Sequence, residues 1–193
     1  MLLAIDTSAG TSAAVISNGV RSLSVFEDPF GHAENVGLAI QAALADASVA
    51  MSEITAVVIG RGPAPYTGLR VGMAAGLGIA GALGIPAHGV MVLDAVAHSL
   101  GGGKFVLSSD AKRRELFVAA YQAGERVFGP SVLGPQELEQ FADFQSVSAK
   151  CDAGLLGLYA EYALSQGIDL SDTSALYLRS PDVSPSPGKK VSG

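Results

Sequence analysis

The feature that most constrains this chain is a glycine-rich stretch over residues 60–84, GRGPAPYTGLRVGMAAGLGIAGALG. Pro63 and Pro65 each remove a backbone donor and bias their neighbours away from helix, so the stretch begins as irregular backbone. Thr67 has the side chain of an N-cap residue, which predicts a helix from Thr67 to Gly84. That helix contains six glycines, and each costs about 1 kcal/mol relative to alanine. It therefore needs a packed neighbour in order to be stable.

Small residues recur at every fourth position of this helix and form a face without side chains. They are Gly68, Gly72, Gly76, Ala80 and Gly84, while Leu69 and Met73 belong to another face. A groove of this kind lets a second helix approach closely. That helix is either the one predicted over residues 32–47 or a helix of another chain. We expect an interface with another chain, and packing only within this chain is the alternative.

The rest of the sequence indicates two related halves. The first has short strands at 2–6, 12–17 and 20–26, a helix at 32–47 whose inner face carries Val36, Ile40 and Leu44, and strands at 54–60 and 85–90. After the glycines at 101–103, residues 105–121 repeat the order of strand, Asp, polar turn and strand. A third strand at ERVFG and helices at 135–141 and 155–166 follow. This order predicts an α/β, actin-like ATPase (ribonuclease H-like) fold with two pseudo-repeated lobes, mixed sheets and flanking helices. The lobes span 1–102 and 103–179, before a flexible tail at 180–193.

The two turns that carry aspartates face each other across a cleft in such a layout. Asp6, Thr7, Ser8 and Asp110 are therefore the candidate nucleotide-facing residues, because hydroxyls surround phosphate and a carboxylate holds its magnesium. The alternative is that Asp6 and Ser8 only stabilise a turn through side-chain to backbone hydrogen bonds. Both interpretations stay open on the sequence alone.

Charge and composition limit the kinds of partner that this chain can bind. The formal net charge is −6, with 49% hydrophobic and 16% charged residues, so the surface as a whole repels phosphate backbones. Lys112, Arg113 and Arg114 form the only basic cluster, which is either a solvated turn or a minor contact with the phosphate of a nucleic acid or nucleotide. Residues 71–87 lack charge, but glycine and alanine dominate and Pro86 interrupts them, so no membrane span is predicted. MLLAIDTS at the start has no basic leader, and we expect a cytoplasmic protein.

Four segments carry a specific resemblance. GPAPYTGLRVG (62–72), the opening LAIDTS, SSDAKRRELFVAAY (108–121) and ALYLRSPDV (175–183) resemble motifs of the TsaB (YeaZ) family, and together they extend over nearly the whole chain. The loop departs from the usual family pattern at Ala64, Pro65 and Tyr66. The resemblance implies a non-catalytic subunit that binds the catalytic paralogue TsaD, with the ATPase TsaE as third component, in forming threonylcarbamoyladenosine on tRNA. Contact with tRNA is then indirect, through the complex.

By that resemblance, the partner interface lies on the first-lobe helices. The expected residues are Val36, Ile40, Leu44, Gly68, Leu69, Arg70, Gly72, Met73 and Gly76. Arg70 either binds a carboxylate across the interface or braces loop carbonyls. A homodimer of the isolated chain is a further expectation. No cofactor is required for this role, and ATP or ADP with magnesium is assigned to the inter-lobe cleft or to the partner interface.

The catalytic paralogue carries an H-x-E-x-H metal motif that this chain does not preserve. The nearest stretch starts at His32 and places Val36 where the second histidine would stand, so no metal site is expected. The alternative function is a small actin-like ATPase or phosphotransferase that uses Asp6 and Asp110 around magnesium and ATP. A peptidase is disfavoured, because the sequence has no G-x-S-x-G or H-E-x-x-H motif.

Overall fold

A five-stranded mixed sheet forms from the first part of the chain. The computed structural model describes residues 1–28 and 30–178. The strands are β1 Leu2–Asp6, β2 Thr11–Ile16, β3 Val20–Phe26, β4 Ala56–Gly60 and β5 Ala87–Val90, in the order β3-β2-β1-β4-β5. β1 is antiparallel to β2 and parallel to β4. The predicted three-stranded meander is confirmed.

A second sheet repeats this arrangement. Its strands are β6 Lys104–Asp110, β7 Leu116–Gln122, β8 Glu125–Leu133 and β9 Gln145–Ser148, in the order β8-β7-β6-β9. β6 is antiparallel to β7 and parallel to β9. Each sheet therefore has a meander followed by a strand parallel to its first strand, which is the duplication expected from the sequence. β9 was not expected.

Within the residues that the structure describes, four α-helices flank the first sheet. They are α1 His32–Ala47, α2 Tyr66–Leu83, α3 Val92–Leu100 and α4 Ala153–Ser165, and short 3-10 helices occupy Met51–Glu53 and Pro135–Phe141. α1 and α2 cover one side of the sheet, where they share a buried core with the alternate residues of β1, β2 and β4. α4 covers the opposite side and packs against α3. In the described part of the chain, no helix has the length and apolarity to cross a membrane.

The start of α2 differs from the prediction. Its N-cap residue is Pro65, and Thr67 lies within the first turn, so the expectation that Thr67 caps the helix is wrong. The proline ring fixes φ of Pro65 at −58°, a value close to that of a helix, so the helix starts here without a side-chain cap. Gly84 ends the helix in the left-handed conformation with φ 65°, as a glycine does readily.

A strap at residues 167–178 returns along the first sheet. Gly89 of β5 donates to the carbonyl of Leu170 (2.8 Å), and Leu176 donates to the carbonyl of Arg61 (2.7 Å). Arg61 also forms an ion pair with Asp172. Hydrogen bonds from the hydroxyl and backbone of Ser174, with this ion pair, lower the pKa of Asp172 to about 2. The strap and α4 thus pack on the first sheet, although they follow the second sheet in sequence. The tail predicted over 180–193 lies outside the described residues.

Candidate functional site

The glycine face of α2 packs on the chain's own first sheet. The Thr7 hydroxyl donates to the carbonyl of Gly68 (2.8 Å) and accepts from the N–H of Gly72 (3.2 Å). A Cβ atom at Gly68 would lie 2.8 Å from the backbone oxygen of Thr7, and one at Gly72 would overlap the Thr7 hydroxyl. One turn further, a Cβ at Gly76 would overlap Cγ2 of Ile59. The glycines therefore serve to bring helix and sheet close together.

This packing corrects the predicted interface. Of its nine residues, only Arg70 is exposed, and Val36 is half-buried. The other seven are buried inside the helix and sheet layers. They are Ile40, Leu44, Gly68, Leu69, Gly72, Met73 and Gly76. The groove is filled mainly by the first sheet, because Thr7 and Ile59 occupy the space that the absent side chains leave, and His32 of α1 packs against its start at Gly68.

The opposite side of the same two helices faces outward and carries small and apolar residues. Leu38 of α1 is 52% exposed and Leu77 of α2 is 39% exposed. Ala74 and Gly78 are exposed beside Leu77, and no charged residue occurs between 71 and 87. We call the exposed residues Leu38, Ala74, Leu77 and Gly78 the α1/α2 face. An uncharged exposed helix face, such as the α2 part of this surface, is typical of a contact with another protein.

Arg70 lies at the end of this face and joins α2 to the strap. Its Nε donates to the Tyr177 hydroxyl (2.8 Å). The rings of Tyr66 and Tyr177 stack with centroids 4.4 Å apart, and the guanidinium lies 5.1 Å and 5.4 Å from the two centroids. Arg70 therefore braces the strap rather than the loop carbonyls. Its outer side is exposed, so it also remains accessible to a partner.

A cavity of about 630 Å³ lies between the two sheets. Thr7 and Ser8 line it from the first lobe, and Asp110 and Lys112 line it from the second. Cys151 lies in its wall but is otherwise buried, and burial raises the pKa of its thiol well above the usual value. The turns that follow Asp6 and Asp110 thus lie at one cleft, as predicted.

Asp6 does not reach this cavity. Its carboxylate is buried, and Oδ2 accepts from the backbone N–H (3.1 Å) and hydroxyl (2.7 Å) of Ser8. Oδ1 is buried without a hydrogen-bond partner among the described residues. Burial raises the pKa of Asp6 to about 6, although the bonds from Ser8 lower it in part. Asp6 therefore makes the turn hydrogen bonds of the alternative interpretation through Oδ2.

The remaining candidate residues also have partners within the chain. Asp110 accepts from the N–H of Lys112 (2.7 Å) and forms an ion pair with its ammonium (3.0 Å), while the Thr7 hydroxyl is bound within α2. These candidate residues therefore have internal partners, and binding of a magnesium nucleotide stays a prediction.

The histidine of the partial metal motif has a different role. His32 Nδ1 lies 3.0 Å from the Thr11 hydroxyl, and His32 contacts the start of α2 at Gly68. Within residues 1–28 and 30–178, no group of three His, Cys, Asp or Glu side chains is arranged to hold a metal ion.

One polar cluster between the lobes was missed by the sequence reasoning. The Tyr121 hydroxyl of β7 donates to Asp94 of α3 (2.7 Å), and Arg126 of β8 lies 3.3 Å from the same carboxylate. Burial raises the pKa of Asp94. Helix α3 itself was not predicted, so the position of Asp94 had no signal in the sequence.

Comparison with known proteins supports the assignment of fold and family. The family model described as TsaD, tRNA N6-adenosine threonylcarbamoyltransferase, matches residues 30–162. Two solved structures from Pseudomonas aeruginosa superpose well. One is an uncharacterised protein with similarity to peptidase YEAZ (TM-score 0.75, 25% identity, 92% of this chain and 99% of that chain). The other is YeaZ (TM-score 0.76, 24% identity, the same coverage), which supports the fold alone.

Three relatives are similar to this chain in sequence. An uncharacterised protein of Mycobacterium leprae is 38% identical over 96% of this chain, which spans 56% of that relative's length. An uncharacterised protein of Mycobacterium tuberculosis H37Rv is 37% identical over 95% of this chain and 94% of its own length. The tRNA threonylcarbamoyladenosine biosynthesis protein TsaB of Escherichia coli K12 is 29% identical over 64% of this chain and 56% of its own.

The repeated sheets and the superposition define a protein of the actin-like ATPase fold. Within that class, the chain belongs to the TsaB (YeaZ) family.

Proposed function

We propose that this chain is the non-catalytic dimerisation subunit of the complex that forms threonylcarbamoyladenosine on tRNA. It binds and supports the catalytic subunit TsaD, and the ATPase TsaE is the third component. Family membership supports the role in this tRNA modification. The single observation that carries the binding role is the α1/α2 face, which exposes apolar side chains on two adjacent helices.

The proposed interface is the outer side of α1 and α2 rather than the glycine face. Leu38 and Leu77 supply the apolar contact area, and the small side chains of Ala74 and Gly78 let a partner helix approach closely. Arg70 lies at the edge of this surface, where its guanidinium can bind a carboxylate of the partner. Contact with tRNA is then made by the partner, which agrees with the net charge of −6.

The experiment is to mix the chain with TsaD of its own organism and to measure molar mass by size exclusion with light scattering. We expect a heterodimer with the wild type and its loss with Leu77→Asp. Val127→Asp is the matched control, because Val127 is an exposed apolar residue on β8 of the second lobe. Substitution of Gly72 is unsuitable here, because a side chain would displace Thr7 and disturb the fold. If the wild type forms no complex, the proposal is wrong.

Binding of a magnesium nucleotide in the inter-lobe cleft is a second candidate, favoured by the size of the cavity. The internal partners of Thr7, Ser8 and Asp110 weigh against it. Titration calorimetry with ATP and magnesium, on the chain alone, tests it. Binding that is weakened by Ser8→Ala would support the ATPase or phosphotransferase alternative.

A further inference from the structure

The turn between β6 and β7 has an unusual backbone. Its residues Lys112, Arg113 and Arg114 have φ angles of 65°, 55° and 62°, in the left-handed region that long side chains rarely adopt. Two other hairpins of the chain use this region in turns at 18–19 and 123–124, and each of those turns contains a glycine. A turn that only reverses the chain would be more stable with glycine or asparagine. Three exposed cations in this conformation therefore point to a function of the side chains.

Hydrogen bonds within the turn hold this conformation. The Asp110 carboxylate accepts from the N–H of Lys112 (2.7 Å). The N–H of Ala111 donates to the carbonyl of Glu115 (2.9 Å), and the N–H of Glu115 donates to the carbonyl of Lys112 (3.0 Å). The three cations are thus presented by a turn that is already ordered before any ligand binds.

Lys150 lies beside this turn at the same edge of the second sheet. β6 and β9 are parallel, with Ser108 opposite Ser148, so the residues that follow the two strands leave the sheet side by side. Lys112 and Lys150 accordingly both line the cavity between the lobes.

The acidic neighbours of these two lysines do not block them. Lys112 pairs with Asp110 (3.0 Å) and Lys150 pairs with Glu27 (3.3 Å), and all four side chains are at least 64% exposed. Ion pairs as exposed as these contribute little to stability. Both ammonium groups can therefore exchange their carboxylates for a phosphate.

Aromatic side chains from the first lobe line the same cavity. Phe30 is 92% exposed, so it contributes little to the core. Tyr66 lies at the start of α2 and stacks on Tyr177, and the guanidinium of Arg70 lies against both rings. The fold thus brings cations of one lobe and aromatic rings of the other to the mouth of one cavity, although they are far apart in sequence.

Cations that bind phosphates and rings on which bases stack are the combination that binds single-stranded nucleic acid. A free nucleotide would contact the residues that line the cavity. Arg113 and Arg114 lie outside that lining, so the cations continue from the cavity onto the surface. A row of this kind fits a chain of phosphates better than a single nucleotide.

We propose that an unpaired stretch of RNA lies across the mouth of this cavity. Its phosphates contact the turn at 112–114 and Lys150, and one base stacks on Phe30 or Tyr66. The choice of tRNA as this RNA rests on the proposed function. The net charge of −6 keeps the contact weak in the chain alone, and a partner that holds the same tRNA strengthens it by raising the local concentration.

The experiment is fluorescence anisotropy of a labelled tRNA transcript over a series of salt concentrations, with the TsaD heterodimer and with the chain alone. Arg114→Asn should raise the dissociation constant about three- to tenfold and reduce the salt slope by about 1. Because asparagine tolerates the left-handed region, the thermal midpoint should stay the same or rise. Arg114→Lys, which keeps the charge, should retain most of the affinity.

The matched control for charge is Arg21→Asn. Arg21 lies near the start of β3, beside the end of β2, whereas the cavity lies at the start of β2 next to Gly10. This variant loses the same formal charge and should leave the dissociation constant and the salt slope nearly unchanged.

Phe30→Ala tests the stacking contact separately. It should raise the dissociation constant at least about fivefold and leave the salt slope unchanged, because no phosphate contact is lost. A fully paired RNA duplex should bind more weakly than the tRNA and should be insensitive to Phe30→Ala.

Three outcomes would overturn the proposal: tRNA binding that Arg114→Asn does not weaken, tRNA binding that Phe30→Ala does not weaken, or Arg114-dependent binding of ATP with magnesium but not of RNA. Light scattering of each variant with TsaD separates this inference from the proposed function, since neither Phe30 nor Arg114 belongs to the α1/α2 face. If the wild type forms no heterodimer, the proposed function fails, and the titrations of the chain alone at low salt decide this inference by the same criteria.

Discussion

The close contact between α2 and the first sheet predicts opposite effects for two neighbouring glycines. Gly76 faces the sheet, where an added Cβ would overlap Cγ2 of Ile59 and lie 3.3 Å from Cγ1 of Val57. Gly78 has no atom within 4 Å of the equivalent position. Both Ile59 and Val57 are fully buried, so neither can move without disturbing the core.

The expected magnitudes follow from two contributions. Alanine stabilises the helix by about 1 kcal/mol relative to glycine at either position. Overpacking of the core at Gly76 costs about 1–3 kcal/mol in addition. Gly78→Ala should therefore raise the free energy of unfolding by up to about 1 kcal/mol. Gly76→Ala should lie about 1–3 kcal/mol below Gly78→Ala, because the helix contribution cancels between the two.

Urea unfolding monitored by circular dichroism measures both values. A double-mutant cycle with Ile59→Ala identifies the cause, because that substitution removes Cγ2. In the Ile59→Ala background, Gly76→Ala should become neutral or stabilising. If Gly76→Ala stabilises the wild type as much as Gly78→Ala does, α2 does not lie at this distance from the sheet and the reasoning is refuted.

Three further predictions concern polar groups. Burial raises the pKa of Asp6 to about 6, so the folded state binds its proton more tightly than the unfolded state does. The free energy of unfolding should therefore fall by up to about 3 kcal/mol as the pH rises from about 4 to above 6. Urea unfolding of the Asp6→Asn variant should lack this loss. If the variant shows the same dependence on pH as the wild type, Asp6 is not the group that titrates. Tyr121→Phe removes the shortest hydrogen bond to Asp94 and leaves only the longer ones from Arg126, so it should lower the free energy of unfolding by about 1–2 kcal/mol. Glu161→Ala removes the acceptor for two backbone N–H groups in the turn between β2 and β3 and should cost about 1 kcal/mol, whereas Glu161→Gln, which keeps one acceptor, should cost less in the same assay.

Periodic segments were predicted well because their signals are local. The spacing of Val36, Ile40 and Leu44 predicted a helix at 32–47, and α1 has these bounds. The two aspartate turns and their flanking strands were also confirmed. By contrast, β9 consists of Gln145–Ser148, whose short polar sequence has no strand signal. The nine residues of α3 are too few for a clear period.

The face of α2 was identified, but the neighbour that fills it was not. Spacing shows that Gly68, Gly72 and Gly76 share a side of the helix, because this depends only on helix geometry. It does not show that Thr7 and Ile59 lie against that side, since these residues come from strands elsewhere in the sequence. The predicted interface residues therefore lie mostly on the inner side of the two helices, which faces the sheet.

The bond network of Thr7 has a mechanical consequence. A single hydroxyl connects the end of β1 with both Gly68 and Gly72, and Ser8, the next residue, lines the cleft between the lobes. A partner that tilts α2 must therefore either break two buried bonds or carry the turn after β1 along with the helix. The position of α2 and the position of Ser8 at the cleft are thus linked in part through the Thr7 hydroxyl.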